Sequence, residues 1–437
     1  MSSILFASVP VHGHVTPLLS LAQAFAARGD RVRFLTGARF RDAVTATGAE
    51  HVPLPAEADF DDRNVSDRFP DRERLSAVKA IAHDIEHVFV RPGAAQYAAV
   101  RAALAEEPAD AIVADPTFAA GALLVELPVE ERPPVIVGGA LPLNLPAPGL
   151  APFGLGLAPL GGPVGWMRNR LLHGLTDRLF DPVNAAGRAI SRQVHGREPQ
   201  VPVMDWMRHA ELIAQLTVAS FEYPRPTSAG RVQFVGPVSV SSAHVHRRPA
   251  WWADLDGTRP VIHVTQGTLA NHDPGELIRP AIDAFADSDA LVVVSTGGAP
   301  VSRLGALPAN VRAAEFLPYD ELLPRTAVMI TNGGYGGVHF ALRHGVPVVV
   351  APGKEDKNEV AARVAWSGAG LNLRTQRPSP ARLRRGVERV LREPSYRAAA
   401  RRIGTDIARS AGSAGFVSAV DDVIAKSRTS TLSPVTM

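Results

Sequence analysis

The chain is 437 residues long, 46% hydrophobic and 20% charged, which is enough for two domains, each with its own core. Its formal charge is only +3, and its basic residues are spread without aromatic interleaving, so nucleic-acid binding is not expected. The absence of cysteine excludes disulfides, thiolate metal sites and a cysteine nucleophile.

The opening MSSILFASVP has no basic region and too short an apolar run for a signal peptide, which predicts a soluble cytoplasmic protein. Ile4–Val9 reads as an apolar strand and His12-Gly13-His14 as a turn. Leu18–Arg28 reads as an amphipathic helix closed by Gly29, and Arg31–Thr36 as the next strand. This is a β-α-β unit of the doubly wound type. Further strands are predicted at Ala111–Ala114 and Val135–Val137, with a helix between them from about Phe118. Pro134 to Met167 carries no charge, but its seven prolines and eight glycines rule out a spanning helix, and stable membrane insertion is not expected. Past Val137 this stretch reads as a long apolar loop, and Met204–Val218 as a helix-to-strand passage.

Val235 to Pro249 is rich in Pro, Ser and His without sustained period and reads as a linker. The expected division is an N-terminal domain over 1–234, a linker over 235–255 and a second domain over 256–408. A helix over 409–426 then packs back on the first domain, and 427–437 form a flexible tail. Within the second domain, strands are predicted at Val261–Thr265, Leu291–Ser295, Ala327–Thr331 and Val346–Ala351, with a helix at Gly275–Phe285. Pro380 to Ile424 reads as helical and Arg-rich. Two α/β units joined by a linker imply a cleft between them, a favoured ligand position.

Four places in this pattern carry chemistry. Gly333, Gly334, Gly336 and Gly337 sit where a strand hands over to a helix, and free N–H groups at a helix N-terminus suit phosphate. Val264-Thr265-Gln266-Gly267-Thr268 is a second such turn, and Glu355, Asp356 and Lys357 follow the next strand, where a polyol can be held. Phosphate at one end and hydroxyl binders at the other suggest a nucleotide-sugar. The fourth place is His14 with Asp115, both at the carboxyl ends of strands. A carboxylate that orients an imidazole makes a general base, and His12 competes for the role on spacing alone. No G-x-G-x-x-G follows the first strand, which argues against an ordinary NAD site, and there is no Walker A pattern. Asp254-Leu255-Asp256 fits D-x-D but reads as a polar turn before a strand, and His244 and His246 have no third ligand nearby, so no metal is expected.

Taken together, VPVHGHVTPLLSLAQAFAARGDRVRFLT, the VGP before the linker, RPVIHVTQGT, AEFLPYDELLP and TNGGYGGVHFALRHGVPVVV with its following ED resemble the family 1 glycosyltransferases of the GT-B fold. The likeness is closest to the actinobacterial natural-product enzymes, the macrolide type included, and it covers nearly the whole chain. It implies two Rossmann-like domains facing across a cleft. It also implies an inverting transfer from a UDP- or dTDP-sugar to a hydroxyl of a small hydrophobic polyketide, macrolide or polyphenol, with no metal or other cofactor. His14 matches the general base and Asp115 its orienting carboxylate. Gly267, Thr268, Asn332, Gly333, Gly334, Gly336 and Gly337 match the donor diphosphate site. The backbone at Phe316 and Leu317 matches the nucleobase turn, and Asp356, with Glu355 and Lys357 beside it, the sugar site. Three residues depart from the family pattern: Asn332 replaces a His before Gly-Gly, Phe340 replaces a ribose-binding Glu, and Lys357 replaces a Gln. The second of these weakens the case for UDP and leaves dTDP open. On the acceptor side the walls are the apolar loop from Leu141 to Met167 and the helix Arg168–Phe180; Leu141, Phe153 and Trp166, with His12, are the candidates. A nucleotide-sugar epimerase and a non-catalytic auxiliary protein on the same fold are the alternatives, and a monomer or homodimer is expected.

Overall fold

The structure, a computed structural model, describes residues 1–64, 77–225, 230–238, 248–268, 271, 273–353 and 356–431. The first half builds a seven-stranded sheet, and every pairing in it is parallel. Its strands are β1 (Ser3–Ala7), β2 (Arg31–Thr36), β3 (Glu50–Pro53), β4 (Ala111–Ala114), β5 (Val135–Gly139), β6 (Leu212–Gln215) and β7 (Val232–Phe234). They lie in the order β3-β2-β1-β4-β5-β6-β7, so the direction of progression reverses between β1 and β4. The second half builds a six-stranded parallel sheet from β8 (Val261–Thr265), β9 (Leu291–Ser295), β10 (Val311–Ala314), β11 (Thr326–Thr331), β12 (Val348–Val350) and β13 (Gly370–Asn372). Its order is β10-β9-β8-β11-β12-β13, with the reversal between β8 and β11. The central strands β4, β5, β8 and β9 are buried throughout, as apolar runs covered by helices on both faces must be.

The helices that matter for the site are α1 (His12–Arg28), α2 (Gly162–Leu179), α3 (Tyr335–Arg343), α4 (Lys357–Trp366) and α5 (Gly412–Thr431). Helix α1 begins six residues before the predicted Leu18, so His12-Gly13-His14 is its first turn and not a loop. Pro17 forfeits one ladder bond, but Val15, Leu18, Leu21, Ala22 and Phe25 are all buried on one stripe, and that burial carries the helix through the proline. Strand β1 stops at Ala7 and leaves Ser8 and Val9 to the loop, because Ser8 turns inward to the site. Helix α2 starts at Gly162, inside the stretch predicted as loop, with Pro163 in its first turn. Between Met204 and β6 there is only the single 3-10 turn Trp206–His209.

In the linker, Ala250–Asp254 forms a 3-10 helix, while 239–247, with His244 and His246, lie outside the described residues. The predicted helix Gly275–Phe285 begins at Ile278, and the helical stretch from Pro380 is three helices, the last being α5. Helix α5 runs on to Thr431, past the predicted start of the tail at 427. It returns to the first sheet: Phe416 meets Phe25 of α1 edge-on at 6.4 Å, and Ala419, Val420 and Ile424 are buried beside it. Arg28 of α1 pairs with Asp421.

Candidate active site

In an open parallel sheet the crevice lies where the strand order reverses, at the carboxyl ends of the strands. In the first sheet that point is between β1 and β4, and His14 and Asp115 follow those two strands. The Nδ1 of His14 lies 3.0 Å from both carboxylate oxygens of Asp115. Asp115 is fully enclosed and also accepts from the Thr117 amide at 2.8 Å, the Thr117 hydroxyl at 3.1 Å and the Ser8 hydroxyl at 3.2 Å. Burial alone would raise its pKa, but the His14 charge and these hydrogen bonds outweigh burial and hold it below the ordinary carboxylate value. When His14 is in its neutral form, an ionised Asp115 holds its proton on Nδ1 and leaves the lone pair on Nε2. Phe89, in a π-helical turn Ile85–Val90, tilts against the His14 ring at 5.9 Å.

His12 does not join this pair. Its backbone amide donates to Asp62 at 2.7 Å and its ring lies 3.5 Å from Thr16 on the same helix. Burial and the nearby Arg39 charge lower its pKa. Of the two histidines left open by spacing, only His14 meets a carboxylate in the way a base needs.

In the second sheet the reversal point between β8 and β11 brings together the Gly267 loop and the Gly333 turn. Gly267 (φ +74°) and Gly333 (φ +92°) both adopt the left-handed region. A Cβ on Gly333 would meet Val350 at 2.9 Å, so this turn packs on β12 and on the start of α4. A Cβ on Gly334 or Gly336 would meet nothing within 4 Å, so the N-terminus of α3 faces open space. A Cβ on Gly337 would make ordinary contact with the Met329 side chain of β11 at 3.8 Å, so this position faces the sheet and not the open space. Asn332, expected to donate to phosphate, is buried and donates through Nδ2 to the Gln266 carbonyl, tying the two loops together. A third loop, absent from the sequence reading, joins them: a Cβ on Gly297 would strike the Gly267 carbonyl.

Thr268 is exposed beside Gly267, and Leu317 is buried while Phe316 stays 42% exposed, its ring at the Cβ position of Gly298. Phe340 packs edge-on against Tyr319 at 5.8 Å. Asp356 stands at the residue before α4 and Lys357 opens the helix, half-buried and buried respectively, with the Lys357 chain running back past Gly353; Glu355 lies outside the described residues. Leu141 and Phe153 are half-buried in the apolar loop. Gly165 turns inward against the Leu160 carbonyl, and Trp166 stands 64% exposed with Arg170 over its ring at 5.5 Å. Asp254 pairs with Arg312 and Asp256 accepts from Thr258, so the D-x-D residues are used within the turn, as read from sequence. Among the described residues no helix is long and apolar enough to cross a membrane.

Two family models match the chain: "Erythromycin biosynthesis protein CIII-like, C-terminal domain" over residues 279–420 and "Glycosyltransferase family 28 N-terminal domain" over 5–114. The chain is 41% identical to 4'-demethylrebeccamycin synthase of Lentzea aerocolonigenes, across 93% of this chain and 95% of that protein. It is 32% identical to UDP-glycosyltransferase 2 of Phaeomoniella chlamydospora, across 90% of each. The crystal structure of the calicheamicin glycosyltransferase CalG4 is similar with a TM-score of 0.72 at 26% identity, covering 98% of this chain and 99% of that one. With the two reversal-point sites in place, these likenesses settle the class: the chain belongs to the GT-B glycosyltransferases, within the group of actinobacterial natural-product enzymes.

Proposed function

We propose that this glycosyltransferase moves a sugar from a UDP- or dTDP-sugar to a hydroxyl of a small hydrophobic natural product, with inversion and without a metal. The observation that carries the reading is the His14–Asp115 pair at the reversal point of the first sheet. Nε2 of His14 takes the proton of the acceptor hydroxyl as that oxygen attacks the anomeric carbon. The bond from that carbon to the diphosphate oxygen breaks on the opposite face, the nucleoside diphosphate leaves, and the proton stays on an imidazolium that Asp115 stabilises. The open N-terminus of α3 and the Gly267 loop supply N–H donors to the departing charge. Asp356 and Lys357 at the start of α4 hold the sugar hydroxyls. Phe340, packed where the family has a ribose-binding carboxylate, favours dTDP, while the name of the fungal relative supports keeping UDP in the test.

The test is to incubate the full chain with UDP- and dTDP-hexoses and a panel of hydrophobic aglycones, and to read products by mass spectrometry. His14→Ala is expected to lower turnover by about two orders of magnitude or more with nucleotide affinity retained. Full turnover by His14→Ala would remove the base assignment. An epimerised sugar formed in the absence of any acceptor would replace transfer with epimerisation.

A further inference from the structure

The apolar loop between Leu141 and Leu160 has no charged side chain of its own, yet its backbone is held by four buried charges. Glu222 and Arg225 follow β6 in the first half, and Glu359 and Arg363 lie on α4 in the second. Arg225 donates to the carbonyls of Leu143 (2.7 Å) and Leu145 (2.9 Å), and Glu222 accepts from the Leu143 amide at 3.0 Å. Arg363, fully buried, joins Glu222 at 2.7 Å to Glu359 at 2.8 Å. The other oxygen of Glu359, Oε1, accepts from the amides of Gly154 (2.8 Å) and Gly156 (2.9 Å). Both glycines need their residue type: φ is +97° at Gly154 and +61° at Gly156. A Cβ on Gly156 would also meet the Asn358 carbonyl at 2.7 Å. The Phe153-Gly154-Leu155-Gly156 segment is thus shaped to sit on the first turn of α4.

That turn begins at Asp356 and Lys357, two to three residues before Glu359. A carboxylate that takes two backbone amides while paired to a buried guanidinium makes the strong kind of hydrogen bond. We propose that Glu359 is a positioning residue: it fixes the acceptor wall to the sugar-holding end of α4, so that acceptor fit is set from the donor helix. The proposal rests on the transfer reading above for what the wall binds, but the clamp itself can be tested without it.

The experiment compares full-length wild type, Glu359→Ala, Gly156→Ala and the double variant. Each single change removes the clamp from a different side. Each is expected to raise acceptor KM roughly tenfold, the scale of a lost charge-assisted hydrogen bond, with kcat within about twofold and nucleotide affinity unchanged. The double variant is expected to be no worse than either single one, because both break the same contact. Multiplying effects, or an unchanged acceptor KM, would overturn the proposal. Amide exchange at Gly154 and Gly156 gives the readout independent of activity: Glu359→Ala should release both, and retained protection overturns the clamp. If wild type transfers no sugar, the functional reading fails while the exchange result still decides the clamp.

Discussion

At the scale of residues, the proposed base chemistry depends on which nitrogen of His14 carries the proton. Asp115 sets this, and its pKa is held down although it is enclosed, because His14 and Thr117 face it. Asp115→Asn keeps the shape but presents an amide that can donate to Nδ1 and turn the lone pair away from the substrate. Turnover is expected to fall by roughly 10²- to 10⁴-fold, with nucleotide affinity unchanged in a titration. A variant with wild-type kcat would mean that His14 does not work through this carboxylate. Thr117 and Ser8 escaped the sequence reading because a Thr just past a strand end is most simply a turn residue, and Ser8 falls inside the predicted strand Ile4–Val9. Only the fold brings Ser8 within reach of Asp115, 107 positions away.

At the scale of elements, the glycine-rich turn contains glycines of different kinds, and substitution separates them. Gly333→Ala is expected to destabilise the fold by about 1–3 kcal/mol, since φ is +92° and Val350 is at 2.9 Å from the new Cβ. Gly336→Ala places a methyl in open space on the first turn of α3. It should leave the melting temperature level or slightly raised, while nucleotide affinity drops about tenfold or more as the backbone approach is blocked. Equal affinity in a calorimetric titration would mean that the diphosphate does not sit there. Strands such as Ala111–Ala114, Val261–Thr265 and Leu291–Ser295 were legible to the residue because buried parallel strands are uninterrupted apolar runs. The edge strands β3 and β13, short and part-exposed, carry no such run and were not read. The start of α1 was hidden by Pro17. The Glu222–Arg363 pair joins residues 141 apart, and nothing local in either stretch announces it.

At the scale of the whole molecule, the two halves also meet through His339 of α3, whose Nε2 lies 2.7 Å from the Thr217 hydroxyl just after β6. Burial pushes the pKa of His339 down to about 4 from 6.5, and burial does the same for His263 within β8 of the second sheet. Because the unfolded chain binds these protons first, the stability they allow is complete above about pH 6.5 and is lost as pH falls toward 4. Each site contributes on the order of 3 kcal/mol to that slope. Urea unfolding at pH 7.5, 6 and 4.5 should show the decline, and His339→Gln should flatten it; equal midpoints at all three would contradict both assignments. The return of α5 to the first sheet, with Phe416 on Phe25, has a different kind of consequence. The polypeptide passes between the two bodies twice, so a chimera that exchanges second halves between relatives needs two junctions. One lies in the linker near Val235 and the other before Gly412, whose amide already bonds the Val235 carbonyl at 2.7 Å. A single crossover at the linker would graft a foreign last helix onto the first half.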